Sequence, residues 1–65
     1  MVQQANMGLR ILAPYTDSDE AVTVRHGVLS VVTVRPLGAT ERRVLERIGW
    51  KREPEMSEVW RLALR

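Results

Sequence analysis

The feature that most restricts this chain is the run AVTVRHGVLSVV, residues 21–32, in which β-branched residues are divided by His26-Gly27. A two-residue hairpin turn requires positive φ at its centre; glycine supplies it freely, and histidine tolerates it better than a β-branched residue does. The turn then dictates the pairing: Arg25 faces Val28, Val24 faces Leu29, Thr23 faces Ser30 and Val22 faces Val31. Because side chains alternate across a strand, Val22, Val24, Leu29 and Val31 share one face. The other carries Thr23, Arg25 and Ser30 together with Val28 and Val32. A sheet segregated in this way needs something to cover its apolar face.

The cover is expected from TERRVLERIGW, residues 40–50. Thr40 is placed to cap a helix starting at Glu41, whose negative charge lies at the positive end of the helix dipole. Val44, Leu45 and Ile48 form a narrow apolar stripe, and so short a helix is stable only when packed on the sheet. Gly49 sits where a left-handed residue ends a helix, and in that geometry Trp50 folds back over Leu45. In KREPEMSEVWRLALR the period of two resumes, with Trp60, Leu62 and Leu64 on one face and Val59, Arg61 and Ala63 on the other. Pro54 and its acidic neighbours supply a turn. There is room for a short extra strand at Trp50-Lys51-Arg52 that pairs back on Val59 to Leu62.

At the other end, residues 1–7 are polar and aperiodic and are expected to form a flexible N-terminal tail. In GLRILA, residues 8–13, Leu9, Ile11 and Ala13 alternate with Arg10 and Leu12 before Pro14 stops the run, which predicts an edge strand. YTDSDE follows as an exposed loop of turn formers. The expected fold is therefore α+β: a small, mainly antiparallel sheet of order β-β-β-α-β with one helix on one face, in a single domain spanning 8–65. With 65 residues and no phenylalanine, the core depends on Trp50 and Trp60 beside Leu45 and Ile48. The absence of cysteine removes disulfides and thiolate metal ligation and favours a cytoplasmic location. No segment has the pattern of a signal peptide or the length of a membrane span.

Residues suited to catalysis are sparse. His26 is the one histidine and belongs to the predicted turn. Asp17 and Asp19 resemble the start of a calcium loop, but Ala21 and Val28 occupy later positions that need oxygen ligands. No serine has an identifiable base and orienting partner, and Glu53, Glu55 and Glu58 fall in an exposed turn where nothing raises a carboxyl pKa. No catalytic residue, cofactor or metal is expected. The charges, 10 basic against 8 acidic, are interleaved: Arg42, Arg43, Arg47, Lys51 and Arg52 alternate with Glu41, Glu46, Glu53, Glu55 and Glu58. This pattern favours a solvated face laced with ion pairs over a nucleic-acid footprint.

Two functional classes survive. The first is a non-catalytic module that binds a protein, using Arg25, Arg43, Arg47 and Arg52 with Asp17, Asp19 and Glu20 as polar rims. The partner is another protein or a second copy of the chain; a homodimer would cover Val28, Val32 and Val34. The alternative is a nucleic-acid-binding domain whose arginine-rich helix and following turn contact phosphates.

The segment LERIGWKREPEMSEVW, preceded by HGVLSV on a strand and by a Thr-capped helix, resembles a pattern in small phage and prophage accessory proteins. There a strand is followed by a short helix ending in Leu-Gly-Trp, an acidic turn and a Trp-bearing final strand; here Ile48 replaces the leucine. The resemblance covers residues 22–64 and implies a protein that binds and disables host machinery, including defence systems in the manner of anti-CRISPR proteins. A second likeness, to the Leu-Gly-Phe of GNAT acetyltransferases, fails because no glycine-rich loop offers amides to a pyrophosphate.

Overall fold

The computed structural model describes residues 2–64. Helix α1 (Val2–Leu12) leads through a 3-10 turn (Ala13–Tyr15) and a second one (Asp19–Ala21) into strands β1 (Val22–Arg25) and β2 (Val28–Val32). Helix α2 (Ala39–Arg47) and strands β3 (Lys51–Glu53) and β4 (Met56–Ala63) complete the chain. The four strands form one antiparallel sheet in the order β1-β2-β4-β3. The fold is α+β, as the sequence predicts.

The hairpin follows the expected geometry. His26 and Gly27 have φ of 55° and 74°, and the pairs are Val22–Val31, Thr23–Ser30, Val24–Leu29 and Arg25–Val28. On the covered face Leu29 stands beside Leu62 and Val31 beside Trp60. These four residues are buried with Leu12 of α1, Leu45 of α2 and Trp50 in a single core. Val24 shares that face by parity but lies on an edge strand beyond the helices and is 63% exposed. Val44, expected in the apolar stripe, is also exposed, and Ile48 is only partly buried.

The stop of α2 is a complete Schellman arrangement. The Trp50 amide donates to the Leu45 carbonyl at 2.9 Å and the Gly49 amide to that of Glu46 at 3.2 Å, with Gly49 at φ 108°. Only glycine holds that φ without a steric penalty, so the turn is encoded locally. The start of the helix differs from expectation. It begins at Ala39 with Gly38 in the cap position and no side-chain cap, so Thr40 already lies inside the first turn. Glu41 folds its carboxylate back toward Gly38, whose lack of a side chain leaves space for it.

The N-terminal expectations are overturned. Of the predicted tail (1–7) and edge strand (8–13), Val2–Leu12 form α1 and Ala13 opens the 3-10 turn, while Met1 lies outside the described residues; two helices thus cover the sheet instead of one, and both edges are made by other strands. The reason lies in spacing. Ala5, Leu9 and Leu12 recur at intervals of four and three, with Gly8 on the same side, and all face the core. Leu12, which alternation would have turned outward, is fully buried. Six residues of apparent alternation cannot outweigh a helical stripe that begins inside the supposed tail. Past Pro14, the Tyr15 carbonyl accepts from the Val34 amide at 2.8 Å, and the Arg35 guanidinium lies 4.7 Å from the centre of the Tyr15 ring. These contacts fasten the α1 segment to the chain beyond β2. No described helix is long and apolar enough to cross a membrane.

Candidate partner-binding surface

Both helices contribute to the core on one face of the sheet, and the opposite face carries no described element. Register places its residues in rows. Thr23, Ser30, Arg61 and Lys51 run across the middle, Arg25, Val28 and Ala63 lie toward one end, and Val32 with Val59 toward the other. Val32 is 49% exposed, and Val34, beyond the end of β2, is 56% exposed. The surface thus has aliphatic residues toward both ends and a polar middle row, with the cations Arg25 and Lys51 on its two opposite edge strands.

Lys51 and Arg61 are directly opposed across β3 and β4. Like charges in that position repel. Glu53 relieves half of the conflict: its Oε2 lies 2.7 Å from Nη1 of Arg61, the one ion pair among the described residues. The interleaved acids and arginines of α2, expected to pair with one another, do not approach within that range. A bulge between Arg52 and Glu53 accompanies the pair, consistent with a local change of side-chain direction at a sheet edge.

The structure separates the seven residues predicted to bind a partner. Asp17, Asp19 and Glu20 are exposed just before β1, where Ser18 caps the second 3-10 turn by accepting from the Glu20 amide at 3.3 Å. Arg25 ends β1 on the bare face. Arg43 and Arg47 are exposed on α2, and Arg52 is exposed on β3. The acids accompany one edge of the sheet and Arg52 the other, about 14 Å apart at the usual strand spacing. They cannot form one contiguous rim.

The basic edge is the more structured of the two. Two open depressions, of about 400 and 530 Å3, share Gly49, Lys51, Arg52 and Pro54. The first extends onto the bare face over Val28, Arg61 and Ala63; the second turns toward the helices at Glu46 and Trp50. Arg42 joins Arg52 in lining a smaller hollow beside Trp60. Sequence reasoning missed Arg61 and the small residues Gly49 and Ala63. Alternation had already placed Arg61 opposite to Trp60, but its proximity to Lys51 depends on the pairing of β3 with β4.

Among the described residues, no group of three or more His, Asp or Glu side chains is placed to hold a metal ion. His26 is exposed in its turn, with no second base beside it in the hairpin. Compared with family models, with curated proteins and with solved structures, the chain gives no match in any of the three.

Proposed function

We propose that this chain is a non-catalytic protein-binding module, of the kind that phage and other mobile elements use to inhibit or regulate a host protein, including its defence systems. The observation that carries the binding role is the bare sheet face, with Val32 and Val34 about half exposed beside two unpaired strand edges. Exposed edges and apolar sheet faces are surfaces that a second polypeptide can extend or cover. The inhibitory role is carried by the resemblance to phage accessory proteins of the Ile48-Gly49-Trp50 segment, the acidic turn and the final strand bearing Trp60.

A different protein is a better occupant of the bare face than a second copy. Stacking two such faces would bring the cations Arg25 and Lys51 of one copy toward those of the other, with Glu53 already engaged by Arg61. A nucleic-acid partner is less well served. Both tryptophans, the residues best suited to base stacking, are 1% exposed, and Tyr15 is occupied by Arg35. The test is affinity capture from a bacterial lysate with and without nuclease. A stoichiometric protein retained after nuclease, and lost on Val32→Glu with Val34→Glu, supports the reading; recovery that depends on nucleic acid refutes it.

A further inference from the structure

The β3 edge has a property that the bare face lacks: its chemistry specifies what would pair with it. We propose that β3 takes an extended acidic segment of the partner protein, which adds as a fifth strand and sets two adjacent carboxylates against Lys51 and Arg52. The proposal rests on the protein-binding reading and names the edge and the partner chemistry.

The observations converge on this strand. β3 pairs with β4 on one side only, so alternate amides and carbonyls point outward without a strand to receive them. Consecutive residues of a strand face opposite ways. Lys51 is therefore presented with Arg61 on the bare face and Arg52 with Trp60 on the helix side. Both are exposed, and neither has an ion-pair partner among the described residues. The two depressions that share these residues leave space along the edge on both sides of the sheet. Gly49 lines both depressions.

A strand laid here would meet a cation on each face at adjacent positions, which calls for two consecutive acidic residues. Glu53 follows immediately and would repel a third, so the position opposite it should be uncharged. Pro54 ends the edge, which limits the pairing to a short segment. The β1 edge offers no such code. It presents Val22, Thr23, Val24 and Arg25 and is preceded by acids that would repel the same segment. A nucleic-acid backbone would satisfy the cations but not the outward amides and carbonyls of the strand.

The experiment titrates the isotopically labelled full chain with a capped peptide of valine and threonine carrying two adjacent glutamates at its centre, following backbone amide shifts by NMR. The expected result is saturable change confined to Lys51–Glu53 and the adjoining part of β4. The double variant Lys51→Glu, Arg52→Glu should bind about tenfold or more weakly and should recover affinity for the same peptide with lysines in place of the glutamates. Both positions are exposed, and the reversal of Lys51 removes its repulsion from Arg61, so the variant is expected to fold. Shifts confined to β1 or to the bare face, or no shift at all, would overturn the acidic-strand proposal while leaving the protein-binding reading to its lysate test. A short DNA duplex that displaces the peptide and shifts Arg43 and Arg47 would overturn both.

Discussion

Gly8 of α1 rests directly on the indole of Trp50: a Cβ at Gly8 would fall within the space of Cε2, Nε1 and Cζ2 of that ring. The same indole donates from Nε1 to the Gln4 carbonyl one turn earlier, at 3.0 Å. A glycine costs a helix interior up to about 1 kcal/mol relative to alanine, and here it permits the close approach that seats a tryptophan under the helix. Gly8→Ala therefore exchanges a gain in propensity for an overlap with a fully buried ring. The overlap should win by about 1–3 kcal/mol, read as a fall in melting temperature by circular dichroism.

Leu12→Ala and Ile11→Ala discriminate the helix from the strand that local alternation suggests. Leu12 is fully buried, whereas Ile11 is only partly so. Loss of the Leu12 side chain should destabilise the fold by about 2–5 kcal/mol, and the Ile11 variant by clearly less. Chemical denaturation of the two variants checks the order; a strand with Ile11 inward would reverse it.

Gly49→Ala isolates the backbone contribution of the helix stop. A Cβ there would lie 3.6 Å from Cδ1 of Leu62, an ordinary contact, so the expected loss comes from φ 108° and not from crowding. A left-handed conformation costs a non-glycine residue roughly 1–2 kcal/mol. Asparagine, which tolerates that region better, should lose less than alanine in parallel melts.

Trp60 is 1% exposed and opposes both Val31 and Arg52 at the centre of the sheet. Trp60→Ala should cost about 3–5 kcal/mol, comparable with the whole stability of a domain of this size. The variant is expected to be largely unfolded at room temperature. A near-parental circular dichroism spectrum and melt would contradict the burial.

Arg43 and Arg47 are exposed on α2 and have no ion-pair partner among the described residues. The combined substitution Arg43→Ala, Arg47→Ala should leave the melting temperature unchanged. It also tests the nucleic-acid alternative, because phosphate contacts give a salt dependence of log affinity of about −0.9 per phosphate neutralised. Weak duplex binding that is indifferent to the substitutions fits a protein partner; tight, salt-sensitive binding that they abolish would establish the alternative.

What could be read from the chain alone is what a few neighbouring residues decide among themselves. His26-Gly27 sets the turn and hence every pair between β1 and β2, and Gly49 sets the stop that turns Trp50 into the core. Period-two alternation separates Trp60 and Leu62 from Val59 and Arg61. Each depends on φ preference or side-chain alternation, properties that act over two to six residues. The N-terminal helix is hidden from such local signals because its stripe runs across residue 7, where polar character gives way to apolar, and because Gly8 is favourable only once Trp50 lies against it.

The candidate binding surface depended on distance in sequence. β4 enters between β2 and β3, and that order brings Arg61 against Lys51 and leaves β3 as a free edge. The same packing sends Asp17, Asp19 and Glu20 to the far edge from Arg52. Local propensity cannot choose among strand orders that bury the same apolar face; the choice belongs to the packing of Leu12, Leu45, Trp50 and Trp60 together, which exists only in the folded chain.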